Sequence, residues 1–135
     1  MTKSSNARYH DYTGRTRTRA WLRSQGRPCW ICGGQIDYHA PRTHPLAFEM
    51  DELDPISRGG SATDRANVDA AHRICNNWRS NRMPAEVEAT RALIVRRFGG
   101  WTSAPDFVAK AKACKGKAPK ERPKQAKPTT TTAWL

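Results

Sequence analysis

Two short knuckles, Cys29-Trp30-Ile31-Cys32 and His72-Arg73-Ile74-Cys75, constrain this chain more than any other feature. Each carries two soft donors across a two-residue gap, and two such pairs suit a tetrahedral zinc ion. Gly33-Gly34 follows the first pair and supplies the tight backbone turn that a knuckle needs. Buried cysteines beside an ordinary histidine would not require the matched gaps. Because Cys29, Cys32, His72 and Cys75 form a full ligand set with no position left for water, the expected metal is structural.

Such a staple suits a chain of this size. There are 135 residues, and the polar ends reduce the folding part to roughly a hundred, a core small enough to gain from a metal. Residues 1–14 read as a flexible arm, 15–104 as the folded domain, and 105–135 as a disordered basic tail. Within 110–128 there are seven lysines and one arginine against one glutamate, interleaved with alanine and proline, a composition that cannot bury a core. Cys114 falls there, apart from the knuckles.

Lysine and arginine outnumber aspartate and glutamate by 24 to 12, a formal charge of +12, which attracts polyanions. Nucleic acid is the leading partner. A membrane surface is disfavoured, because the chain has neither a long apolar run nor a basic helix with a wide apolar face. The first residues lack a signal peptide's apolar stretch, so a reducing cytoplasmic setting is expected, and the cysteine distribution is not that of a disulfide scaffold.

The element order reads helix, knuckle, two strands, helix, helix. A short basic helix is expected from about Thr16 to Gln25, stopped by Gly26, with Arg15, Arg17, Arg19 and Arg23 available either to phosphates or to solvent. A proline-rich connection with His39 and His44 follows. Phe48 to Leu53 alternates Phe48, Met50 and Glu52 with Glu49, Asp51 and Leu53 as a strand, and Asn67 to Ala71 returns as its partner after a loop. A helix from His72 to about Arg82 comes next. Another begins at Pro84, with Val87, Ile94 and Phe98 as its apolar face and Gly99-Gly100 as its stop.

The run Asp51-Glu52-Leu53-Asp54-Pro55-Ile56-Ser57-Arg58-Gly59-Gly60, set between the knuckles and followed by Asn67-Val68 and Cys75-Asn76, resembles the HNH endonucleases, in the small zinc-stapled form common among tailed bacteriophages. The resemblance covers about Arg15 to Arg82. It implies an α+β, ββα-metal fold in which two strands and a helix hold one catalytic divalent ion at the DNA backbone. Carried over by position, Asp51 and Asn76 are the ligands of that ion and Asn67 braces the loop between the strands. A carboxylate and an amide carbonyl are hard oxygen donors that suit Mg2+ or Mn2+, with Ni2+ as a further candidate. The ion would polarise the scissile phosphate and stabilise the departing oxygen.

One position departs from the pattern. Glu52 stands where the family's Asp-His pair has the histidine that takes a proton from the attacking water, and a free glutamate is the weaker base near neutral pH. Glu52 is expected to serve as base or water-orienting ligand, with His39 and His44 as nearby substitutes. Arg58, Arg73, Arg79 and Arg82 are candidate phosphate contacts. The resulting expectation is a DNA-cutting hydrolase with little base-specific reading, and the phage resemblance implies a role beside the packaging terminase. The competing expectation is a catalytically silent zinc-containing DNA-binding protein, which Glu52 favours. An RNA-binding knuckle that stacks bases on Trp30 and Trp78 is weaker, since both residues suit core packing.

Overall fold

The computed structural model describes residues 2–114, with side chains from residue 13 onward. It is an α+β arrangement of helices α1 (Thr2–Ser24), α2 (Arg73–Arg79), α3 (Pro84–Phe98) and α4 (Ala104–Cys114) with strands β1 (Phe48–Glu52) and β2 (Val68–His72). The strands form one antiparallel pair in which Phe48 faces His72, Asp51 faces Asp69 and Glu52 faces Val68. α1 begins at Thr2 rather than near Thr16, so the stretch expected as an arm over 1–14 has helical backbone almost throughout. No helix of the described residues is long and apolar enough to cross a membrane.

The core lies where α1, the knuckle, the strand pair and the last three helices meet. Leu22, Ile31, Val68, Ile94 and Phe107 are fully buried there. α3 starts and stops as its sequence dictates. Pro84 sits in its first turn, Glu86 accepts from the Met83 amide at 2.7 Å, and Gly99 closes the helix at φ 83°, a left-handed value that glycine adopts without strain. Val87 and Ile94 are buried as expected, whereas Phe98 is exposed and lies beneath Arg97 and Lys110.

α4 corrects the expected tail boundary at 105. Ala104, Phe107, Val108, Ala111 and Cys114 are all buried at helical spacing, and α4 packs on α2 and α3. The Ser103 hydroxyl accepts from the Asp106 amide at 3.1 Å, and Asp106 accepts from the Thr102 amide at 2.9 Å, an N-terminal cap that starts the helix. The Phe107 ring meets Trp78 and Trp101 edge-on, with centroids 5.4 and 5.0 Å away. Composition averaged over the lysine-rich end hides this stripe, because the apolar positions are few and regularly spaced rather than clustered. The rest of the expected tail, 115–135, lies outside the described residues.

The loop between the strands is held by Asn67. Its side chain accepts from the Asp54 amide at 3.0 Å and donates to the carbonyls of Asp54 and Ser61 at 3.0 and 3.1 Å. Asn67 itself ends a single 3-10 turn, Arg65–Asn67, so β2 begins one residue later than expected and runs on to His72. Gly60 is required here for space: a Cβ at that position would lie 1.6 Å from the Asp54 carbonyl oxygen.

Candidate metal centre and adjoining cleft

The two knuckles converge. The donor atoms of Cys29, Cys32, His72 and Cys75 all lie within 4.8 Å of one another, and all four residues are buried. In the first knuckle the Gly33 amide donates to the Cys29 carbonyl at 2.8 Å and the Cys29 amide to the Gly34 carbonyl at 2.9 Å. Gly33 has φ 81° in this turn. The Gly34 amide points at the Cys32 sulfur and the His72 amide at the Cys29 sulfur, each at 3.4 Å, as suits sulfurs carrying negative charge. β2 ends at His72 and the first turn of α2 delivers Cys75, so the strand-to-helix junction is itself the second knuckle.

His72 is oriented for ligation through Nδ1. That nitrogen lies 3.4 Å from the Cys32 sulfur and 3.8 Å from that of Cys75, while Nε2 lies 2.7 Å from the Gln35 carbonyl. A carbonyl only accepts, so Nε2 carries a ring proton and Nδ1 is the nitrogen turned toward the sulfurs. Protons and charge crowd at this site. Burial opposes a charged His72, yet hydrogen bonds to Cys29, Cys32 and the Gln35 carbonyl push it up to about 10. Hydrogen bonds from Cys32 and Cys75 pull the Cys29 thiol far down, and those to Cys29 and Cys32 push Cys75 far up. A divalent cation that displaces these protons relieves the crowding, and the cluster is consistent with a structural metal site such as zinc. Trp101 and Arg91 hold the knuckle from outside by donating to the carbonyls of Cys32 and Trp30 at 2.8 and 3.1 Å.

α2 lies along β1, and its side chains meet the acidic ones of the strand in sequence. The Asn76 amide donates to Glu49 at 2.9 Å, and Arg73 approaches the other Glu49 oxygen at 3.5 Å. One turn on, Arg79 donates to Asp51 at 2.8 Å and to the carbonyls of Glu52, Leu53 and Arg82 at 2.6–2.7 Å. The second Asp51 oxygen accepts from the Trp30 indole at 2.9 Å. Burial pushes the Asp51 carboxyl above the ordinary carboxylate range, and the Trp30 and Arg79 donors pull against that shift. Asp51 and Asn76, expected to share one ion, thus each have their own partner. Glu52 pairs with Arg15 of α1 at 2.6 Å.

The expected phosphate contacts divide. Arg79 is 1% exposed with its whole guanidinium engaged, so it is a structural clamp and cannot reach a phosphate. Arg82 turns inward over the Trp78 ring, 4.6 Å from its centroid. Arg58 stands exposed on the loop and Arg73 lines a cleft. His39 and His44 are exposed in the long connection, where the His44 ring accepts from the Leu46 amide at 3.0 Å, and neither lines that cleft.

The cleft has a volume of about 790 Å³ and opens between α1, the connection before β1, β1 itself and α2. Arg15, Arg19, Arg42 and Arg73 line it with Glu49 and Asn76, over a floor of Phe48 and Met50. Glu49 and Arg42 escaped the sequence reading. Glu49 was legible in principle, since strand alternation sets it on the Asp51 face, but Arg42 sits in an irregular connection with no period to place it. Compared with known proteins, the chain matches no family model, no curated protein and no solved structure.

Proposed function

We propose that this protein is a zinc-stapled endonuclease of the HNH kind that hydrolyses phosphodiester bonds in duplex DNA. The observation that carries the reading is the acidic strand β1, with Glu49, Asp51 and Glu52, running beside an arginine-lined cleft in which Asn76 of α2 donates to Glu49, next to a loop braced by Asn67. In hydrolysis water attacks phosphorus as the bond to the leaving oxygen breaks. Glu52 is the acceptor for the water's proton, and arginines along the cleft hold the neighbouring phosphates.

Carboxylate and amide oxygens are the donor types that Mg2+, Mn2+ or Ni2+ would use. The arrangement fits such an ion poorly at Asp51, because Arg79 and Trp30 engage both of its oxygens. That same engagement favours a second reading, a zinc-containing protein that binds DNA without cutting it.

Supercoiled plasmid incubated with zinc-loaded protein and added magnesium, manganese or nickel separates the two. Nicking that is lost in Glu52→Gln supports the endonuclease. Tight binding with intact plasmid under every ion supports the silent reading.

A further inference from the structure

The cleft holds an excess of positive charge that the described residues do not neutralise. Glu49 is the one carboxylate in a lining that carries four guanidinium groups. Arg42 makes no hydrogen bond or ion pair with any described residue. The Arg19 guanidinium has no hydrogen bond or ion pair among them either; it lies over the Phe48 ring, 4.9 Å from the centroid. Burial, followed by repulsion from Arg23, Arg42 and Arg15, lowers the Arg19 pKa against the pull of Glu49, so these cations are close enough to disfavour one another. Arg73 is shared between Glu49 and the Thr43 carbonyl at 3.5 and 3.3 Å, longer than well-formed bonds of this kind. Guanidinium groups over an apolar floor suit phosphodiester oxygens, which accept two parallel N–H bonds and relieve the repulsion.

The two arginine–carboxylate pairs beside this cleft differ in how firmly they are held. Arg79 and Asp51 are 1% and 8% exposed, and breaking that pair strands a buried charge. Arg15 and Glu52 are 43% and 17% exposed, so their pair is worth little and a competing anion can take Arg15. Arg15 also lines the cleft.

We propose that this cleft is the seat of a DNA phosphate track on Arg15, Arg19, Arg42 and Arg73, and that an arriving phosphate draws Arg15 away from Glu52. Backbone binding thereby uncovers the carboxylate. The proposal rests on the DNA reading above and adds the surface that holds the duplex and the contact that gates Glu52.

The test is the salt dependence of binding of a short labelled duplex by the full chain, by fluorescence anisotropy without added divalent ions. Arg42→Ala and Arg19→Ala are each expected to reduce the slope of log K against log salt by about 0.9, the loss of one phosphate contact, while Arg96→Ala on the exposed face of α3 leaves it unchanged. The Arg42 side chain is exposed and makes no hydrogen bond or ion pair among the described residues, so its variant is expected to keep the fold. Equal slopes for Arg42→Ala and Arg96→Ala would overturn the cleft, as would displacement of the duplex by single-stranded RNA at lower concentration than by unlabelled duplex. For the shared arginine, Glu52→Gln is expected to tighten binding, and Arg15→Ala to abolish that gain. A gain of the same size in both backgrounds is a general charge effect and overturns the gating. Reduced slopes with uncut plasmid keep the cleft and reject the nuclease; cleavage with unchanged slopes does the reverse.

Discussion

Arg79 on α2 meets Asp51 on β1 at 2.8 Å, with both side chains closed to solvent, and the same guanidinium ties down three backbone carbonyls. It locks the helix to the strand and fixes the chain as it leaves β1. Replacing Arg79 with methionine is expected to destabilise the protein by about 3–5 kcal/mol in urea unfolding, because Asp51 is left buried and unpaired. Arg79→Met combined with Asp51→Leu is expected to recover much of that loss, which separates the stranded charge from the missing clamp.

Metal removal should unfold the chain rather than merely loosen it. One zinc per chain is expected by elemental analysis, and cobalt in its place is expected to give the absorption of a tetrahedral site with three thiolates and one imidazole. Chelation is expected to collapse the thermal transition, since metal affinity is folding free energy in small domains. Cys75→Ser is expected to lose both the cobalt spectrum and the transition.

Asn67→Ala removes three hydrogen bonds that hold the loop between the strands. The expected cost is about 1–3 kcal/mol, the penalty for leaving polar groups of the loop unsatisfied. Gly60→Ala is expected to cost more, because the Asp54 carbonyl occupies the space its methyl group needs. Thermal unfolding of both variants checks the order.

Phe107→Ala opens a hole between Trp78 and Trp101 and is expected to cost about 3–5 kcal/mol in urea unfolding. A loss below about 1 kcal/mol, the level of a surface change, would mean that α4 is not part of the core.

Asp106 gives a pH signature at the start of α4. The Thr102 amide and then the Lys110 ammonium hold its carboxyl below the ordinary range. A depressed folded value means that its contribution is present above the unfolded pKa and is lost as pH falls through the folded one. Asp106→Asn is therefore expected to melt below the parent at neutral pH, with the gap closing as pH falls below the ordinary aspartate range. Melting curves across that range check the sign.

Much of the scaffold was legible because local chemistry dictated it. The matched gaps of Cys29, Cys32, His72 and Cys75 specified the cluster, alternation from Phe48 to Glu52 specified a strand, and Pro84 with Gly99 bounded α3. α4 was legible too, from Ser103, Asp106 and the spacing of its apolar residues, but a lysine-rich composition masked it.

What each charged group is for was a different matter. Arg79 and Arg42 are the same residue type, yet one is sealed beneath Trp30 and the other lines an open cleft. Asp51 carried the position of an ion ligand and is held by an arginine and an indole. The sequence by itself determined the metal cluster, the strand pair and the cationic character of the chain, because these depend on spacing and composition, whereas the brace at Asn67 was expected only from the family resemblance. The pairing of acids with arginines, and the cleft that remains, was decided only by tertiary structure, because burial and partner distance set the worth of a charge and neither is a local property.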